Sequence, residues 1–342
     1  MELDRLSKWF HRFGEAECKG SCSLYELLSY QIAADKQLLE LAIHARDGQP
    51  APNLLFGAVQ YVLQQHPDHL LSQYYGSFVD EPRDPADAFP HFKAFCITHE
   101  EKIIPLLETK IVQTNEVRRC TYLYPIFTYI YERTKQPLAL IEIGTSAGLQ
   151  LFWDQYSYTY GDGQVYGNKD SSLLISSQVR GDKLPLQSTL PPVSHRIGID
   201  LQINDLTIEE NRSWLKALIW PCHQERREMF DRAARIVEQQ SPTLIEGNGV
   251  ERVPHIAEQI PEKSVLCIFH THVANQMSDK DKNDLLLTVE SLGSKRNVAH
   301  IYNNMFDSEL HVDTFIDQNK QSYTIGKTDG HGRWFEWNLP TH

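Results

Sequence analysis

Three groups of residues in this chain have the types and spacing for chemistry. Glu142, Gly144, Ser146 and Gly148 stand two apart in the run Glu-Ile-Gly-Thr-Ser-Ala-Gly. His270 and His272 flank a single threonine. Gln113, Thr114, Asn115, Glu116 and Arg118 gather polar side chains ahead of an apolar stretch. The glycine run has two readings. As E-x-G-x-x-x-G it is a nucleotide-type loop, with glycines that permit positive φ and backbone N–H groups that face a ligand. As G-x-S-x-G it is a nucleophile elbow with Ser146 on a strained turn. The histidines, two apart on a strand end, would project to one side. An imidazole there, titrating near neutral pH, would act as general base, with His270 the first choice and His272 beside it. Alternatively, the pair would ligate a metal with Asp200 or Glu142. Gln113, Asn115, Glu116 and Arg118 would line the cofactor or acceptor site, the Arg118 fork holding a carboxylate.

The surrounding elements favour the nucleotide reading. Leu138 to Ile143 reads as a strand, and Leu149, Leu151, Phe152 and Tyr156 continue after the turn at helical spacing. Residues 1–136 read as helical, with helices at 23–32, 53–65 and 91–107 and another from about Glu116. No strand is predicted before Leu138. An elbow follows several sheet strands in an α/β-hydrolase, whereas a nucleotide turn follows the first. Strands at 195–199, 243–246, 264–270 and 297–303 then alternate with helices, with Ser278 as the N-cap of the last. Asp200 ends the second strand, where an acid meets ribose hydroxyls, and Asn248 follows the third, suited to the edge of an adenine ring. Ser146, Asp307 and His331 have the order of a hydrolase triad and nothing further in common.

The fold expected is α/β: a doubly wound, mostly parallel Rossmann-like sheet with an antiparallel C-terminal hairpin, behind an N-terminal helical domain. Residues 1–136 would be a helical cap over the ligand crevice and 137–342 the α/β domain. Two features interrupt the latter: a β-hairpin insertion at about 156–180 around Gly161-Asp162-Gly163, and a closing hairpin in 322–339 turned at Gly330-His331-Gly332.

With 342 residues the chain can bury a large core, and its composition, 41% hydrophobic and 23% charged, is that of a globular protein. A formal net charge of −12 with no basic block argues against nucleic acid as the main partner. A small-molecule or peptide-like acceptor fits better. No apolar run approaches bilayer length and no signal peptide is evident, so a cytoplasmic protein away from membranes is expected. The six cysteines are expected to be reduced, and no metal site is expected from them.

The segments PNLLFGAVQYVL (52–63), QTNEVRRC (113–120), IEIGTSAGLQL (141–151), GIDLQINDL (198–206), WLKALIWP (214–221), FHTHV (269–273) and GHGRWFEW (330–337) together resemble the bacterial domain-of-unknown-function 2332 family. That family is described as similar in fold to class I S-adenosylmethionine-dependent methyltransferases. The resemblance implies S-adenosylmethionine as cofactor, bound through Glu142, Gly144, Ser146, Gly148, Asp200 and Asn248, and methyl transfer to the acceptor. A non-catalytic S-adenosylmethionine- or nucleotide-binding protein is the alternative, and a serine hydrolase using Ser146 the third. The chain departs from the methyltransferase pattern where Ser146 replaces a glycine, where Asn248 replaces an acid, and where His270-Thr271-His272 replaces an Asn-Pro-Pro-Tyr-type motif.

Overall fold

The computed structural model describes residues 3–339 apart from Thr114, Lys183, Pro185, Gln187, Ser188 and Ser241. The helices are α1 (Leu3–Phe13), α2 (Ser23–Ala33), α3 (Lys36–Ala42), α4 (Ala51–Gln64), α5 (Ala88–Thr98), α6 (Glu100–Thr109), α7 (Cys120–Thr134), α8 (Glu209–Ala217), α9 (Gln224–Gln240), α10 (Gly249–Gln259) and α11 (Asp279–Gly293). The strands are β1 (Leu138–Ile143), β2 (Ser157–Thr159), β3 (Tyr166–Gly167), β4 (Leu174–Ser176), β5 (Gln178–Gly181), β6 (Val193–Asp200), β7 (Thr243–Glu246), β8 (Val265–His270), β9 (Val298–Asn303), β10 (Glu309–Ile316), β11 (Asn319–Lys327) and β12 (Trp334–Trp337). The chain divides into two compact units: 1–114 with 208–228, and 115–207 with 229–342. Helix α7 therefore belongs with the sheet rather than with the front helices, and the stretch carrying α8 returns to them. Both facts depend on long-range packing that a linear division at 136 cannot register.

The first unit is helical, with an aromatic core. Tyr25 stacks on Phe56 at 4.0 Å, and Phe10, Phe13 and Phe92 pack around the same ring. Gln60, fully buried, donates to the carbonyls of Ala217 (2.6 Å) and Ile219 (2.8 Å), so the carbonyls at the end of α8 are satisfied inside the core. Arg227 is buried and donates to the Lys216 and Ile219 carbonyls. The expectation of reduced cysteines is corrected here. Cys22 is bonded to Cys222 with Cα atoms 5.5 Å apart, a pairing across 200 residues that no local spacing reveals.

The second unit is built on a seven-stranded sheet in the order β11-β10-β9-β8-β1-β6-β7. β1, β6, β7, β8 and β9 run parallel, and β10 and β11 are antiparallel additions. β1 is central and buried along its whole length, which explains its unbroken apolar run. One face of the sheet packs Ile141, Ile268 and Val298 against Val253 of α10 and Leu285 and Val289 of α11. The opposite face meets α7, whose Phe127 contacts Phe269 edge-on. Among the described residues the first strand is β1, and Ser278 caps α11 by accepting from the Asp281 N–H.

The antiparallel hairpin lies upstream of its expected place. β10 and β11 turn at Asp317-Gln318, both at positive φ as a two-residue primed turn requires. The aromatic segment read as its second strand, β12, instead pairs in parallel with β5, leaving one antiparallel bridge, Thr328 to Phe335. The insertion at 156–180 contains the expected hairpin, β2 with β3, and adds β4 alongside β2.

Candidate functional site

Strand order reverses at β1, whose neighbours β6 and β8 lead the chain in opposite directions, and in open α/β sheets ligands bind at such a switch point. Gly144 (φ 75°), Ser146 (φ 51°) and Gly148 (φ 77°) all adopt left-handed backbone there. Ser146 is the non-glycine among them, a conformation that costs energy and is held by its surroundings. Those surroundings are explicit. The N–H groups of Gly144 and Thr145 donate to Ile199 O (2.8 and 3.2 Å), that of Ser146 to Asp200 Oδ2 (2.7 Å), and that of Gly148 to Thr145 O (2.9 Å). The turn thus spends on its own scaffold four of its five N–H donors. The element that follows, Leu149–Gln155, is a 3₁₀ helix rather than an α-helix, so it carries no extended helix dipole toward the crevice. A pyrophosphate cradle is not built here.

The glycines serve packing. A Cβ on Gly144 would overlap the Val273 side chain, and one on Gly148 would press on Leu244 and Pro242. Glu142 is buried, and its carboxylate accepts from Thr145 Oγ1 at 2.7 Å. Burial pushes its pKa up to about 8, with the Asp200 charge adding to the rise, while the Thr145 bond and Arg119 oppose it. Glu142 is therefore mostly a neutral acid at pH 7, supporting the turn from beneath.

What remains open at the strand ends is side-chain chemistry. Asp200 is half-buried; its Oδ2 holds the Ser146 N–H, and its Oδ1 accepts a long 3.4 Å bond from the Gln202 N–H. Leu201, directly after it, is 74% exposed. Gly247 N–H donates to Asp200 O, bringing the end of β7 alongside. Asn248, expected at an adenine edge, caps α10 by accepting from the Val250 N–H at 2.9 Å, so its carbonyl oxygen has a structural task.

The two histidines do not share a side. His270, the last residue of β8, is fully buried and faces His300 with Nε2 atoms 3.2 Å apart. His272 lies beyond the strand with φ 60°, which breaks the period-two alternation. Its N–H donates to Asn303 Oδ1 (2.7 Å), and its Nδ1 meets Asn304 Nδ2 at 3.1 Å. Asn304 is left-handed as well (φ 58°), so the ends of β8 and β9 carry two such residues joined through their side chains. Burial pushes the His270 pKa down to about 4. Burial, then Arg119 and His331, push that of His272 down to about 3. Neither imidazole titrates near neutral pH, contrary to expectation, because desolvation disfavours the charged form. With Nδ1 accepting from Asn304, His272 carries its proton on Nε2, which has no partner among the described residues; the Nδ2 of Asn303 is likewise buried without one.

The polar segment divides. Gln113 belongs to the first unit, and Thr114 lies outside the described residues. Asn115 donates through Nδ2 to Thr145 O, tying the segment to the glycine turn. Glu116 is buried, caps the short turn Val117–Arg119 and faces His331 Nδ1 at 3.5 Å. Arg118, assigned to a substrate carboxylate, is buried with Nη2 3.9 Å from Met229 Sδ. Its neighbour Arg119 reaches the site instead, donating to Thr271 O and Oγ1 (both 3.2 Å) and to Gly330 O (3.1 Å). Thr271 in turn donates to Gln150 Oε1 at 3.1 Å. Arg119, Gln150, Thr271, Asn303 and Asn304 went unnoticed in the sequence because each is an ordinary polar residue until β1, β8 and β9 lie side by side.

The triad order leads to no triad. Ser146 Oγ accepts from Asn204 Nδ2 (3.2 Å), Asp307 bonds His311 (2.8 Å), and His331 faces Glu116. Among the described residues no three His, Cys, Asp or Glu side chains are grouped to hold a metal ion, and no helix is long and apolar enough to cross a membrane. Over residues 7–337 the chain matches the family described as "uncharacterized protein conserved in bacteria (DUF2332)". No curated protein and no solved structure matches it.

Proposed function

We propose, for a chain that belongs to the DUF2332 family, that the second unit is a Rossmann-like, class I methyltransferase-type domain. In this reading it binds S-adenosylmethionine across the ends of β1, β6 and β7 and transfers a methyl group to a small or peptide-like acceptor. The observation that carries the reading is the pairing of the half-buried Asp200 carboxylate with the exposed Leu201 at the switch point. A carboxylate at the end of β6 suits vicinal ribose hydroxyls, and an uncovered aliphatic side chain beside it suits an adenine face. The glycine turn, with four of its five N–H groups bonded within the scaffold, disfavours a diphosphate and so favours an adenosyl ligand that carries none. The order β7-β6-β1-β8-β9 supports the same reading.

The fit is to the adenosine half. Asp200 would hold the ribose, and Leu201 and the Gly247-Asn248 backbone would flank the base. The bound cofactor would supply an electrophilic methyl group. With both imidazoles weakened as bases by burial and His270 sealed against His300, this chain's contribution to transfer is positioning. In this reading the Nε2–H of His272 and the Nδ2 of Asn303, buried without partners among the described residues, would donate to an oxygen-bearing acceptor. A second reading, adenosyl binding without catalysis, is favoured by one observation: His270, the first choice for a base, is sealed against His300.

Calorimetric titration with S-adenosylmethionine and S-adenosylhomocysteine tests the proposal. Asp200→Asn keeps an oxygen for the Ser146 N–H and should weaken either ligand about 10- to 100-fold, the worth of a charge-assisted hydrogen bond. Absence of heat with both ligands would remove both readings. Binding without methyl turnover across an acceptor panel would leave the second.

A further inference from the structure

We propose that the cavity under α11 at the free edge of the sheet binds a small organic ammonium ion, with Asp313 as its counter-charge. The cavity encloses about 310 Å³ between α11 and the strands β9, β10 and β11, near the lower end of ligand-site volumes. It opens where the sheet face changes character. Toward the centre that face is apolar, with Ile141, Ile268 and Val298 packed against α10 and α11. At the edge, Tyr302, His311 and Asp313 replace aliphatic side chains.

Asp313 is the feature that needs explaining. It is 7% exposed, and among the described residues its carboxylate has one hydrogen-bond partner, the Tyr302 hydroxyl at 3.2 Å. It makes no ion pair among the described residues. Lys320, on the same cavity wall, is held by Glu290 at 2.5 Å, and His311 by Asp307 at 2.8 Å. In the β10–β11 register its cross-strand neighbour is Ser322, not a lysine or arginine. A buried carboxylate is costly unless a cation meets it. The walls are aromatic: Tyr302 stacks on His311 at 5.2 Å, and the Lys320 ammonium already sits 5.5 Å from the centre of the Phe315 ring, so the cavity holds one cation against a ring while Asp313 lacks its own. A metal ion would need several oxygen ligands, and of the two carboxylates on this wall Glu290 is already held by Lys320. None of these residues belongs to the strand-end site, so the two proposals stand or fall separately.

The test is calorimetry on the full chain with n-butylammonium, n-butanol and butyrate as probes. The expected result is that butylammonium binds at least tenfold more tightly than butanol, and that butyrate gives no binding. Asp313→Asn should weaken butylammonium tenfold or more. Ser322→Lys, at an exposed edge-strand position, sets a covalent ammonium across from Asp313 and should abolish binding with the fold intact, so the test survives even if Asp313→Asn does not fold. Equal affinity for butylammonium and butanol, no binding of butylammonium, or unchanged affinity in Ser322→Lys overturns the proposal.

Discussion

Replacing Glu142 by glutamine should make the second unit more stable in mild alkali, although it removes a carboxyl group from the heart of the site. The side chain is buried and its pKa is raised, first by burial and then by the Asp200 charge, from 4.5 to about 8. Below pH 4.5 folded and unfolded chains both carry the proton and stability does not depend on it. Between 4.5 and about 8 the unfolded chain releases the proton while the folded chain keeps it, so stability falls with rising pH. Above about 8 both are ionised and the curve levels. Each tenfold displacement is worth about 1.4 kcal/mol, so the full fall is about 5 kcal/mol. Glutamine keeps an oxygen for the Thr145 hydroxyl and has no proton to lose. The variant should therefore match wild type within about 1 kcal/mol at pH 4.5, the ordinary scatter of surface-neutral substitutions being smaller still. It should gain progressively to pH 8 and hold that gain beyond. Denaturation monitored at intervals from pH 4.5 to 9, with the carboxyl carbon of Glu142 followed by NMR, reads both quantities. Parallel stability curves for the two proteins, or a carboxyl carbon titrating near 4.5, would refute the reasoning.

Other perturbations address neighbouring parts of the account. Gly144→Ala imposes left-handed backbone on alanine and drives its Cβ into Val273. The combined cost should be about 2–5 kcal/mol, visible as a lowered denaturation midpoint with unchanged slope. Thiol titration under denaturing conditions should count four reactive cysteines before reduction and all six after it, as one disulfide requires. Cys22→Ser with Cys222→Ser should cost the first unit about 2–5 kcal/mol, since the bridge closes a long loop. Ser146 should resist a fluorophosphonate probe, because its hydroxyl is buried against Asn204 and bonds no histidine among the described residues; stoichiometric labelling would revive the hydrolase.

The sheet was legible where its signals are local. The apolar run 138–143 and the strands near 195, 243, 264 and 297 announce themselves through composition, and Ser278 marks its helix through capping chemistry. Pairings between distant segments carry no such mark. β12 reads as half of a hairpin from its alternating aromatics, yet it joins β5, and Cys22 finds Cys222 across most of the chain. The site was legible in its scaffold and less so in its roles. Glu142, Gly144, Ser146 and Asp200 do converge, but as a self-bonded support. Asn248 and Glu116 turned out to be caps. The order Arg118-Arg119 does not say which guanidinium faces Thr271. His270 and His272 looked paired because alternation was assumed to continue past the strand, but His272 itself adopts left-handed backbone.

The most direct measurement is a crystal structure of the full chain grown with S-adenosylhomocysteine. The account predicts the ribose against Asp200 and the base against Leu201 beside Gly247. Density for the ligand elsewhere on the molecule, or a strand-end crevice left unchanged at saturating ligand, would contradict it.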